Sequence, residues 1–203
     1  MKAVSRSSLR LFTALDVPSE ICDRLGEAIT RLQIEMPRGS VKWVRPNGIH
    51  LTLKFFGAVP SAKVADLQAA LTQAAASVSP FALRVEGLGV FPSALRPRVV
   101  WTGVEGDLSA LEALQQAVET SVAALGFKPE ARDFKPHLTL GRVNEHVSSA
   151  DRPKLGRALE ALGRGGATSY GDFVVRHLDL IRSELRPTGA VYTQLFSAPF
   201  ADQ

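Results

Sequence analysis

Residues 50–53 read His-Leu-Thr-Leu, and residues 137–140 read His-Leu-Thr-Leu again. Each copy lies in a strand-like run, Ile49–Phe56 and Pro136–Val143. Side chains alternate along a strand. Leu51 and Leu53 therefore share one face with core character, and His50 and Thr52 share the other. Leu138 and Leu140 are opposed to His137 and Thr139 in the same way. The copies are offset by 87 residues, and a second echo follows them: Ser93–Pro97 (SALRP) and Ser183–Pro187 (SELRP), offset by 90. From tetrapeptide to echo each half reads strand, helix, strand, and another strand follows.

Two motifs in one order, at nearly one offset, mark a duplicated unit. The expected fold is α+β and bilobal: two mainly antiparallel sheets flanked by helices, with the two HLTL strands meeting across a central cleft. Clefts of this kind are preferred ligand sites. Residues 1–203 are read as a single two-lobed domain, with residues 1–9 a loose end.

The remaining elements follow from periodicity and punctuation. Arg10–Val17 reads as a strand. Pro18 opens a helix whose Ile21, Leu25, Ile29 and Leu32 recur at spacings of three and four, ending before Pro37. Val41–Val44 is a short strand. Helices are expected over Ser61–Ala76, Leu108–Leu125 (stopped by Gly126) and Arg152–Leu162, which runs into a Gly163–Gly166 loop. Strands are expected over Phe81–Val90, Arg98–Val104, Phe173–Ile181 and Val191–Phe196.

The net charge is +4 and the pI about 9.5, compatible with a polyanionic partner without requiring one. The lone Cys22 forms no internal disulfide and supplies no thiolate cluster; it reads as a small buried hydrophobe. No apolar run approaches a membrane span. The stretch Leu11–Val17 is too short, and broken by Asp16, to read as a signal peptide. A cytoplasmic monomer without membrane contact is the expectation.

Two imidazoles and two hydroxyls around one point suit displacement at a phosphodiester. That reaction needs a base on the entering oxygen and an acid on the leaving oxygen, on opposite sides of phosphorus. Imidazole serves either role near neutral pH, and threonine hydroxyls can donate to the non-bridging oxygens. Neither metal nor cofactor is required. Zinc is the rival reading, but two histidines lack the expected third protein ligand. His146 and His177 do not repeat and read as loop and strand-surface residues.

These residues resemble the 2H phosphoesterases, named for two His-x-Thr/Ser-x motifs. Within them they resemble the bacterial and archaeal RNA 2′,3′-cyclic phosphodiesterases, formerly called 2′-5′ RNA ligases. The resemblance runs from about Arg10 to Phe200. It includes Arg10-Leu-Phe12, Trp43-Val44, His50–Gly57 (HLTLKFFG), Phe91-Pro92, Trp101, Leu125–Phe127, Pro136–Arg142 (PHLTLGR) and Ser183-x-Leu-x-Pro187-x-Gly189-x-x-Tyr192-Thr193. It implies opening of a terminal RNA 2′,3′-cyclic phosphate to a 2′-phosphomonoester, with reversible 2′-5′ joining in some members. It also implies His50 as proton donor, His137 as proton acceptor, and Thr52, Thr139 and Arg142 as phosphate contacts. The implied partner is RNA ending in a cyclic phosphate, tRNA-like fragments among the candidates.

Strict alternation puts Arg142 opposite His137, unless a bulge at Gly141 turns it. Alternation also puts Lys54 on the face of His50 and Thr52, as a solvated side chain or an RNA contact. Trp43, Phe56 and Trp101 could stack on bases but read as core aromatics; Tyr192 is unassigned. Two further readings stand beside the leading one: a relative acting on another cyclic or 2′-5′-linked nucleotide, and an RNA-binding module without turnover.

Overall fold

A computed structural model describes residues 8–164, 169–187 and 189–201. The first seven residues, and residues 165 and 166 of the expected glycine loop, lie outside the described part. In chain order the elements are β1 (Ser8–Leu15), α1 (Ser19–Glu35), β2 (Val41–Trp43), β3 (Leu51–Pro60), α2 (Val64–Ala75), β4 (Phe81–Phe91), β5 (Val99–Gly106), α3 (Leu108–Ala123), β6 (His137–Val143), α4 (Arg152–Arg164), β7 (Ser169–Val175), β8 (His177–Arg186) and β9 (Gly189–Pro199). Short 3-10 turns at Pro46–Gly48 and Ser61–Lys63 lead into β3 and α2.

The class is α+β, as expected, with antiparallel pairing throughout the described residues. The strands do not form two separate sheets. They form one nine-stranded sheet in the order β7-β4-β5-β6-β3-β1-β8-β9, with β2 also paired to β6. β3 joins β6 through the pair Leu51–Leu138, both fully buried. Two buried leucines on facing motif strands are enough to carry the sheet across what the sequence suggested was a gap.

Expected helices appear where apolar spacing put them. α1 buries Ile21, Cys22, Leu25, Ala28, Ile29 and Leu32, and α3 buries Leu111, Leu114, Val118 and Val122. Asp107 caps α3 by accepting from the Ala110 amide at 3.0 Å. Cys22 is buried, and burial together with Asp16 and Asp23 pushes its thiol up to about 11, so it packs as a hydrophobe.

One expected strand is two. Phe173–Ile181 is broken at Arg176: β7 pairs with β4, and β8 pairs with β1. A single residue spans only about 3.5 Å, so the sheet must roll until these two regions meet. The Phe200 amide donates to the Arg176 carbonyl at 2.9 Å and the Ala201 amide to the Val78 carbonyl at 3.1 Å, sealing that junction. β1 thus lies between β3 and β8. Its Thr13 hydroxyl, fully buried, donates to the Asp179 carbonyl at 2.7 Å.

Candidate active site

His50 immediately precedes β3 and His137 begins β6. The flanking leucines are buried, and the four polar residues His50, Thr52, His137 and Thr139 are half-buried on the opposite face. The Leu51–Leu138 pair is antiparallel. One step along that register sets His50 beside Thr139, and one step the other way sets Thr52 beside His137. Each histidine of one motif therefore neighbours the threonine of the other.

Each imidazole is acted on by the backbone two residues upstream. His137 Nδ1 lies 2.6 Å from the Lys135 carbonyl oxygen. A carbonyl only accepts, so Nδ1 carries the proton, and Nε2 of the neutral ring presents a lone pair. The Gly48 backbone, again two residues upstream, favours the charged form of His50. Aromatic rings wall both. Phe12 and Tyr192 lie 4.7 and 4.9 Å from His50, Tyr192 edge-on. Phe91 stands edge-on to His137 at 4.9 Å. These apolar walls act on charge. Burial pushes His50 down to about 4, against a smaller raising effect of its Gly48 bond. Burial also lowers His137, opposed by the Lys135 bond and reinforced by the positive charge of Arg142.

Arg142 reaches this face through a bulge. The β5–β6 register pairs Trp101 with Thr139 but Val100 with Gly141, so Leu140 is the extra residue. Leu140 and Gly141 are both buried, and a Cβ at Gly141 would lie 2.6 Å from Val41 and 2.9 Å from Trp43. Alternation resumes with Val143 in the core and Arg142 exposed on the side of His137.

A second bulge moves Lys54 the other way. The β1–β3 register pairs Ala14 with Thr52 and Thr13 with Lys54, leaving Leu53 extra. Lys54 is therefore neither on the His50 face nor solvated, which corrects the alternation reading. It is buried, donating to Glu119 at 2.7 Å and to the Lys128 carbonyl at 2.9 Å. Phe55 takes the outward position instead, exposed and 5.4 Å from Phe12.

The family model of the 2′-5′ RNA ligase superfamily matches residues 17–186, spanning both motifs. This chain belongs to the 2′-5′ RNA ligase superfamily. A superfamily relative from Methanothermobacter thermautotrophicus, named RNA 2′,3′-cyclic phosphodiesterase, is 34% identical over 92% of this chain and 96% of its own. Among solved structures, TT0787 of Thermus thermophilus is 30% identical with a TM-score of 0.74, covering 95% of this chain and 98% of that one. E. coli LigT complexed with 3′-AMP is 25% identical with a TM-score of 0.72, covering 96% and 99%.

In this member of the 2′-5′ RNA ligase superfamily several residues quoted for the resemblance turn out to be site neighbours, a place that the sequence alone does not give them. Phe12, Phe91 and Tyr192 lie on other strands, and only their tertiary pairing brings them to the histidines. Trp101, register partner of Thr139, faces the site side against Phe91 at 4.9 Å, with its indole N–H buried and unpartnered among the described residues. Trp43 and Phe56 pack against the core, Phe56 with Phe127 at 5.0 Å. His177 is an exposed strand residue. His146 lines a groove of about 520 Å³ with Met36, Pro37 and Leu155, which none of the motif residues enters. Among the described residues no group of three or more His, Cys, Asp or Glu could hold a metal ion, and no helix is long and apolar enough to cross a membrane.

Proposed function

We propose that this protein opens the 2′,3′-cyclic phosphodiester at the end of an RNA to a 2′-phosphomonoester, using His50 and His137 as an acid–base pair. The observation that carries this reading is the Leu51–Leu138 register, which supports two histidines and two threonines converging on one face. The names of the relatives point to the same substrate class.

Water enters opposite O3′. His137 Nε2 takes its proton as the new P–O bond forms, the P–O3′ bond breaks, and His50 delivers a proton to O3′. Thr52 and Thr139 donate to the non-bridging oxygens, and Arg142 balances the charge that builds there. One electrostatic influence, the smallest of the three acting on His137, is in keeping with this division of roles. Burial chiefly, and the cation of Arg142 in addition, oppose an imidazolium at His137 and so help keep it a base. His50 carries no such opposing cation among its influences. Its low pKa is a property of desolvation, and an anionic phosphate beside it restores the imidazolium an acid requires. With a 5′-hydroxyl entering in place of water, the same pair supports 2′-5′ joining. Tyr192 and the aromatic neighbours enclose the histidines without taking a proton.

The wider reading is of one two-lobed duplicated domain, its two units each beginning at a motif strand, β3 or β6, and related by an approximate two-fold. Its setting is a cytoplasmic monomer acting on RNA ends such as tRNA-like fragments, without cofactor. The test is incubation with an oligoribonucleotide ending in a 2′,3′-cyclic phosphate, in excess chelator, with the product phosphate position assigned by phosphorus NMR. A 2′-phosphate is expected. Turnover of free cyclic nucleotides or internal 2′-5′ linkages in preference to that end would favour a relative of other specificity. Binding without turnover would leave an RNA-binding module.

A further inference from the structure

Lys42 and Arg142 are register partners on β2 and β6. Partners across an antiparallel pair put their side chains on the same face. Both residues are exposed, while Val41 and Val143, the next pair, are buried. Like charges directly opposite one another destabilise a sheet, and neither residue has a carboxylate partner among the described residues. A sequence that keeps two unneutralised cations side by side breaks a local rule, and such breaks concentrate at functional sites.

Their place in the sheet gives the pair a direction. β2 and β3 border the same edge of β6, β3 at Leu138 and β2 from Gly141 onward. Lys42 therefore continues the line of β3 beyond His50. Counted on β5, Trp101 is level with Thr139 and Val99 with Arg142. That is two residues, or about 7 Å along the strand, the scale of one nucleotide of backbone. In the reaction proposed above, on which this inference rests, His50 protonates O3′. The terminal ribose therefore lies toward His50, and the chain upstream of it leads away on that side.

We infer that Lys42 holds the phosphodiester immediately upstream of the terminal nucleotide, while Arg142 serves the cyclic phosphate. Two cations then meet two monoanionic phosphates. Lys42 is a substrate-binding residue that favours an RNA end over a free cyclic nucleotide.

The experiment compares adenosine 2′,3′-cyclic monophosphate, which has no upstream phosphate, with a trinucleotide ending in a 2′,3′-cyclic phosphate. The readout is the ratio of kcat/KM for trinucleotide over mononucleotide. Lys42→Gln should lower that ratio about threefold to tenfold through KM, and should make the salt dependence of the trinucleotide reaction shallower by about 0.7 in log–log slope, the single-strand value for one phosphate contact. Lys42→Arg should keep the ratio. An unchanged ratio in Lys42→Gln overturns the inference, whether both activities fall together, as for a structural role or a contact to the reacting phosphate, or neither falls. Wild-type protein that turns over neither substrate would instead remove the reaction on which the inference stands.

Discussion

Leu51 and Leu138 are each other's register partner, and this fully buried pair joins β3 to β6. It sets the register between the two motifs, because His50 and Thr52 flank Leu51 as His137 and Thr139 flank Leu138. Leu138→Ala should cost about 2–5 kcal/mol of stability, the range for a truncated core leucine. It should also lower kcat in the fraction that remains folded. Urea denaturation with activity measured on the folded baseline separates the two effects; full kcat would mean that the motifs are held in place by other contacts.

His50→Ala and His137→Ala should each lose at least ~10²-fold in turnover, the scale of general acid–base catalysis. Thr52→Ala and Thr139→Ala should lose less, since other donors remain. A substrate with a better leaving group at the 3′ side needs little protonation. With it, His50→Ala should regain much of its rate and His137→Ala should not; the opposite pattern would exchange their roles.

The histidines also set a pH dependence of stability. The folded protein holds His50 near 4 against an ordinary 6.5, and His137 is lowered as well. Between those values the unfolded chain binds protons that the folded chain refuses, so stability is intact above about 6.5 and declines as pH falls toward 4. Tm should drop over that window, with a shallower drop in His50→Ala. Inorganic phosphate at pH 6 should bind with net proton uptake, read by calorimetry in buffers of different ionisation enthalpy. Proton release would contradict the charging of His50 by an anion.

Lys54 and Glu119 form an ion pair with side chains 3% and 11% exposed. Lys54→Met strands a buried carboxylate and should cost about 3–5 kcal/mol, whereas Lys54→Met with Glu119→Leu should recover most of the loss. Chemical denaturation of the three proteins gives the comparison. Equal stability of the single and double variants would mean that Glu119 finds water when Lys54 is gone.

Lys54 also shows where sequence reading ends. The helices and the opposed faces of HLTL were legible because each depends on spacing within a short window. Bulges are not of that kind. The extra residue at Leu53 is set by pairing with β1, and the one at Leu140 by pairing with β5, so alternation misassigned Lys54 and left Arg142 undecided. Gly141 was a local sign of the second bulge; nothing comparable marks the first. The stretch from Phe173 to Ile181 has no Gly or Pro to announce the break at Arg176, and only the roll of the sheet requires it. Likewise Phe12, Phe91 and Tyr192 become neighbours of the histidines through long-range pairing alone.

The pairing of β1 with β8 has a consequence for how the protein is made. β1 leaves the ribosome before the other described elements, yet its second neighbour is encoded some 166 residues later, as the Thr13–Asp179 bond records. Until β8 emerges, β1 keeps one unsatisfied edge, the kind of surface that recruits other strands. The sheet around β1 therefore cannot close until β8 has been made, and a truncated chain lacking β8 presents an open template for aggregation.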